Sequence, residues 1–278
     1  MNPSYHRPTT IAQALQLKAE LGPGAVFLAG GTEVNNRLAG RPTALIDIAG
    51  LRLDAVDRTD SGVRLGAGVT FQRLVDHPDV PGYIKTAALQ MVNRNIRNRA
   101  TVGGHLGNNR SCADLIPVLV AAQALVQLAD RELPVEQLVQ SAPGLILSVF
   151  VPRTERRFGL MNMTRTASDI SLIAVAVSLR MEGDRIREPI VAVGGVAAHV
   201  VRLAAVEKAL DGRPLPSAQH IEPLIAGSVS PIDDLRGSAA YKRHLAAVLG
   251  ERALKVAVLG ERALKTAVDQ AGPTVGGR

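Results

Sequence analysis

The chain has 278 residues, with aromatics at 3 % and no Trp, so one large domain or two ordinary ones must be filled by Ala, Val and Leu. The single cysteine, Cys112, excludes an internal disulfide and any iron–sulfur cluster or thiolate zinc site carried by this chain alone. The net charge of +7 is spread mostly as single Arg residues with few aromatics to stack bases, which argues against nucleic acid and for an acidic partner or an anionic cofactor. No run approaches the ~20 apolar residues of a membrane helix. The start, M-N-P-S-Y-H-R-P, has no apolar leader, so a cytoplasmic chain without a membrane span is expected.

Residues 9 to 21 place apolar side chains at helical spacing behind Thr9 or Thr10, either of which can cap the helix, and Gly22-Pro23-Gly24 stops it. Ala25 to Ala29 reads as a short strand running into Gly30-Gly31, and Ala44 to Ile48 as another. From Asp54 to Val69, apolar and polar residues alternate around Thr59-Asp60-Ser61-Gly62, a hairpin pattern. In that pattern Gly66-Ala67-Gly68 reads as a strand end or bulge. Thr70 caps a short helix whose last turn holds His77, and Tyr83 to Asn98 reads as one helix ending in R-N-I-R-N-R. A helix is expected over Leu115–Leu125, then strands at 124–128 and 145–151, with P-R-T-E-R-R (152–157) as an exposed connection.

The second half predicts long apolar strands over Ile170–Met181 and Ile190–Val196, turning at Glu182-Gly183-Asp184-Arg185 and ending at Gly194-Gly195. Helices follow at 202–210 and 218–227, and a last long one runs from Ser238. That last stretch repeats nine residues, A-V-L-G-E-R-A-L-K, at Ala247–Lys255 and Ala257–Lys265. The ten-residue offset turns the second copy by about 80° at ~3.6 residues per turn, so only one copy is expected to pack on the domain.

Two glycine turns carry the chemistry. Ala29-Gly30-Gly31-Thr32-Glu33 ends a strand, and Thr101-Val102-Gly103-Gly104-His105 lies ahead of the apolar run from Leu115. Paired glycines before a helix let backbone N–H groups approach a phosphate, and two such turns can clamp one diphosphate; the alternative is a pair of tight strand–helix turns. Neither turn is G-x-G-x-x-G, so the Rossmann fingerprint is absent.

In order along nearly the whole chain, these features resemble the FAD-carrying medium subunit of the molybdenum hydroxylases, the family of carbon monoxide dehydrogenase and xanthine dehydrogenase. The matching motifs are Ala29–Val34; Arg97–Leu106 with Ser111-Cys112-Ala113-Asp114; Asp169–Val177; Gly194–Ala197; and Arg236–Lys242. The resemblance implies an α+β fold. A two-lobed FAD-binding domain of the PCMH/vanillyl-alcohol-oxidase type would span 1–160 (lobes 1–52 and 53–160). An α+β domain of antiparallel sheet plus helices would span 161–270, with a tail at 271–278. It implies that the backbones of Ala29, Gly30, Gly31, Thr32 and Glu33 and of Thr101, Val102, Gly103, Gly104 and His105 hold FAD. Asp114 would accept from the ribitol or ribose, Val102 would stand beside the flavin ring, and Ile146 would contact FAD through its backbone. His105 replaces the usual Asn, Glu33 the usual Asp or Ser, and Met161 a Lys found in some relatives; His105 is read as a loop residue rather than a catalytic base. The implied activity is that of an electron-transfer oxidoreductase subunit. Its partners would be a large chain with a molybdenum cofactor and a small chain with 2Fe-2S clusters, assembled as a dimer of heterotrimers. The alternatives are a stand-alone flavin oxidoreductase and an assembly or binding subunit that has lost FAD.

Overall fold

The computed structural model describes residues 2–34, 42–141, 144–166 and 168–260. A three-stranded parallel sheet opens the chain: β1 (Ser4–His6), α1 (Ile11–Leu21), β2 (Ala25–Leu28) and β3 (Ala44–Asp47), in the order β1-β3-β2. Of the two candidate caps it is Thr10 that caps α1, its hydroxyl accepting from the Gln13 amide at 3.2 Å, and Gly22 (φ 69) ends the helix. The glycine turn therefore leaves the C-terminal edge of β2, where ligands collect in α/β units.

A five-stranded antiparallel sheet follows, ordered β4-β5-β8-β6-β7. Its elements are β4 (Val56–Thr59), β5 (Gly62–Gly66), α2 (Phe71–Asp76), α3 (Gly82–Leu89), α4 (Arg94–Arg97), α5 (Val102–Asn108), α6 (Leu115–Ala121), β6 (Leu125–Leu128), β7 (Glu132–Pro134), α7 (Val135–Leu138) and β8 (Ile146–Pro152). The predicted hairpin forms as β4–β5, Thr70 caps α2, and His77 is that helix's C-cap. The single helix expected over Tyr83–Asn98 is broken, with Val92 at φ 24; the Arg97 guanidinium bonds the Met91 carbonyl at 3.2 Å inside the break. The helix expected to reach Leu125 stops at Ala121, and Gln123 takes φ 56 before β6.

The third sheet is β12-β11-β10-β9, made of β9 (Arg157–Met163), β10 (Ile173–Glu182), β11 (Arg185–Gly194) and β12 (Val201–Arg202), with α8 (Ala204–Leu210), α9 (Ala218–Gly227) and α10 (Ala239–Leu259). β9 lacked a clear alternating signal, and it begins inside the stretch read as an exposed connection. β10 and β11 are apolar at successive positions because both faces are covered, whereas an antiparallel sheet commonly wets one face. Ala176, Ile190 and Ala192 join the core of the first half, while Val175, Val177, Val191 and Val193 join the core under α8, α9 and α10. Among the described residues no helix is long and apolar enough to cross a membrane.

The glycine of the repeat takes two conformations, and contrary to the expectation that one copy packs, the described start of the second copy packs too: Ala257 is buried and Val258 lies against the same core. Gly250 of the first copy sits inside α10, and a Cβ there would lie 2.7 Å from Ile225 Cδ1 of α9. Gly260 of the second copy is the C-cap, with φ 83. Packing on α9, rather than local sequence, keeps the first glycine helical. The second copy beyond Gly260 lies outside the described residues. Deleting Val256–Lys265 would bring Thr266-Ala267-Val268 behind Lys255 in place of Val256-Ala257-Val258. The melting temperature should stay nearly unchanged; a fall beyond about 5 °C, more than roughly 1 kcal/mol for a chain of this size, would refute this replacement.

Candidate functional site

Between the parallel sheet and α5 lies a cavity of about 720 Å³, within the ~300–1,000 Å³ usual for ligand pockets. Every residue singled out from the two glycine turns lines it except Val102, and Ile146, at the start of β8, lines it as well. Val102, the first residue of α5, is wholly buried in the core, and Asp114 is buried away from the cavity wall.

The turns are locked to each other. A Cβ on Gly30 would fall 1.7 Å from the Arg99 carbonyl oxygen, and the Arg99 Nε donates back to the Gly30 carbonyl at 3.0 Å. The residues read as a second loop are in fact the start of α5, with Thr101 as N-cap accepting from the Gly104 amide at 3.1 Å. The other first-turn amides are also engaged: Val102 with the Val69 carbonyl at 2.9 Å, Gly103 with Ala67 at 2.8 Å, and His105 with Thr101 at 2.9 Å. The second turn thus offers a ligand its shape and the positive end of a short helix, not a row of free donors. Among the described residues the Gly30 and Gly31 amides make no backbone hydrogen bond, which leaves the first turn as the donor side.

Charge at the site is arranged around these turns. Glu33 pairs with Arg110, and Lys18 on the cavity wall bonds the Gly22 and Ala25 carbonyls at 3.3 and 2.5 Å. His105 packs edge-on to Phe71 (5.1 Å between centroids), and burial holds its imidazole down at about 4, hence neutral near pH 7. Its Nε2 accepts from the Leu115 amide at 3.4 Å, capping α6. That bond explains how a histidine serves in the loop position, and it engages the ring lone pair that a base would use. Burial pushes the Asp114 carboxyl up to about 6, opposed by the Ser171 hydroxyl, which donates to Oδ1; Asn162 donates to Ser171 at 3.0 Å. Ser171, in the Asp169–Val177 stretch, ties the two halves together at this point. Sequence reasoning missed Lys18, Met91, Val92 and Ile96 on the wall, because wall residues supplied by a helix face or a chain break carry no motif.

Asp114 and the cavity-lining His105 titrate against each other. Asp114 has a folded value near 6 against 3.8 in the unfolded chain, so its protonation adds stability as pH falls through that window. His105 has a folded value near 4 against 6.5, so it removes stability as pH falls through nearly the same window. Asp114→Asn, which can still accept from Ser171, leaves only the histidine arm. Its urea midpoint is expected to drop relative to the wild type on acidification from pH 6.5 to about 4; parallel profiles would refute the buried carboxyl's contribution.

Residues 1–154 match the family described as the FAD binding domain in molybdopterin dehydrogenase. Residues 159–257 match the CO dehydrogenase flavoprotein C-terminal domain. The chain belongs to this family of oxidoreductase flavoprotein subunits. It is 30 % identical over 249 residues to the uncharacterized protein YgfM of Escherichia coli K12, covering 88 % of this chain and 92 % of that one. It is 27 % identical over 270 residues to the nicotine 6-hydroxylase medium subunit of Paenarthrobacter nicotinovorans, covering 90 % and 95 %. The solved carbon monoxide dehydrogenase of Hydrogenophaga pseudoflava superposes with a TM-score of 0.85 at 25 % identity, covering 92 % of this chain and 97 % of that chain. The two-part architecture expected from the motifs, an FAD-binding part and then an antiparallel sheet with helices, is the family's architecture.

Proposed function

We propose that the chain is the FAD-carrying electron-transfer subunit of a molybdenum-dependent hydroxylase or dehydrogenase complex in the cytoplasm. It would take electrons from 2Fe-2S clusters of a small partner chain and pass them to an external acceptor, while a large partner chain holds the molybdenum cofactor, in a dimer of heterotrimers. The observation that carries the reading is one cavity walled by both glycine turns, at the edge of β2 and the start of α5. FAD, when bound, supplies the redox chemistry.

The residues of this chain fit that cofactor. Gly31 holds φ 73, a conformation Gly takes without strain, and with Gly30 it offers the diphosphate its amides. Thr101, Gly103, Gly104 and His105 shape the opposite wall, and the positive end of α5 faces the negative charge. Thr32, Glu33 and Ala29 complete the first turn, and Ile146 offers backbone from β8. Asp114 and Val102 act away from the wall. Asp114 fixes the Ser171 segment, whose neighbours Asp169 and Ile170 border the cavity, and Val102 anchors the start of α5 in the core. We place the FAD-binding domain ahead of β9 and the closing domain from β9 onward.

The purified chain should show flavin bands and release one FAD per chain on acid treatment, with no iron. A colourless chain that takes up no added FAD would overturn the reading. Turnover of a small substrate by this chain alone would favour a stand-alone oxidoreductase.

A further inference from the structure

We propose that the loop from Ile232 to Gly237 is the docking point for the partner chain that delivers electrons, and that this partner presents an apolar pocket with an acidic rim. The proposal rests on the electron-transfer reading above and names the surface that serves it.

Leu235 is 98 % exposed and Ile232 is 72 % exposed. A loop that left two such side chains in water through looseness would carry few internal bonds, and this one is tightly tied. Asp234 Oδ1 accepts from the Arg236 and Gly237 amides at 2.8 and 3.3 Å. Asp234 Oδ2 pairs with the buried Lys242 at 2.7 Å, and Lys242 also bonds the Ile232 carbonyl at 2.9 Å. Asp233 caps α10 through the Ala239 amide at 2.5 Å, and Arg165 donates to the Leu235 carbonyl. Ordering that is complete before binding lowers the entropy a partner must overcome, and a rigid apolar anchor within a polar rim is the anatomy of an interface hot spot.

Charge and position choose the occupant. Lys242 neutralises Asp234, and against the remaining carboxylate of Asp233 stand Arg165, Arg236 and Arg243, so the patch carries net positive charge like the chain as a whole at +7. An acidic surface is the complement. Arg165 lies in the segment that continues to Ser168, Asp169 and Ile170 on the cavity wall, and Ile170 is itself 38 % exposed. A partner seated on Leu235 therefore sits at the side of the cavity, where an electron donor is needed. Leu89 and Leu259, exposed elsewhere, have no comparable network of loop bonds.

The test coexpresses the full chain with the molybdenum and iron–sulfur chains of its complex, purifies through a tag on this chain, and measures iron, molybdenum and flavin. Leu235→Asp should keep flavin and the melting temperature of the isolated chain, yet lose at least tenfold of the copurifying iron. Arg165→Glu should also lose iron, wild-type retention should weaken with added salt, and Leu89→Asp should behave as wild type. Full iron retention by Leu235→Asp would overturn the proposal, as would retained iron with lost molybdenum. A wild type that holds iron but no flavin would sink the electron-transfer reading, while the iron ratio between wild type and Leu235→Asp would still decide the docking surface.

Discussion

The Gly30→Ala variant is expected to lose both stability and flavin, whereas Gly104→Val should lose flavin alone. The two glycines have the same sequence context, a G-G pair in a turn, but different surroundings. The new Cβ at position 30 would meet backbone, 1.7 Å from the Arg99 carbonyl oxygen and 2.5 Å from its carbon. That backbone cannot retreat: the Ala100 amide bonds Ile96 at 2.7 Å and the Ala100 carbonyl accepts from Phe71 at 2.9 Å. Forced overpacking of this kind costs about 3 kcal/mol, or roughly 6–12 °C in melting temperature for a chain of this size. At position 104 the Cβ would meet the Thr101 hydroxyl at 2.9 Å, which can rotate away, and the Ala29 methyl at 3.7 Å, an ordinary contact, and the remaining methyls would stand in the cavity. Melting should move by no more than about 3 °C, the loss of one cap bond. Flavin per chain should fall at least tenfold. An unchanged melting temperature for Gly30→Ala would refute the interlocking of the two turns, and full flavin in Gly104→Val would refute the ligand role of the second.

That pair of variants marks where the sequence was readable. The apolar–glycine patterns placed both turns at strand or helix edges, and the turns do converge on one cavity. The reason for the glycines was only half visible, because Gly30 serves a contact with Arg99, which no spacing rule encodes. The helix of Gly103 and Gly104 was hidden for a related reason: two glycines and a histidine in its first turns oppose helix by propensity, and bonds to Val69 and Ala67 override it. Caps and turns with local chemistry, such as Thr70, Ser238 and Glu182–Arg185, were legible. Breaks held by distant groups, such as the one at Val92 secured by Arg97, were not. The same limit hid the partner of Asp114: Ser171 is its neighbour in space but far away in the chain.

Arg156 shows that limit most sharply, and it carries the second large prediction. In P-R-T-E-R-R it reads as a solvated charge, yet it is only 8 % exposed. Its Nε donates to the Ser178 hydroxyl at 3.0 Å, and Nη2 donates to the Ser178 carbonyl at 3.2 Å and to the Glu188 carbonyl. Nη1 pairs with the Glu188 carboxylate at 3.2 Å. These carbonyls are available because β10 changes register at Ser178–Arg180 and Glu188 takes φ 48. Ser178 in turn donates to the Ala121 carbonyl at 2.6 Å, closing the end of α6. One guanidinium therefore joins the connection between β8 and β9, the irregular centre of the four-stranded sheet and the last turn of α6. Burial lowers its pKa and Glu188 raises it again. Arg156→Met keeps the apolar stem but strands the Ser178 and Glu188 carbonyls and leaves the Glu188 carboxylate without its buried partner, an expected loss of about 3 kcal/mol in urea unfolding. Arg156→Lys should fall between, since a single ammonium cannot reproduce the planar fork. Stability within about 1 kcal/mol of the wild type for Arg156→Met would mean that water replaces the guanidinium at the junction and that the two halves are held together by their shared apolar face instead.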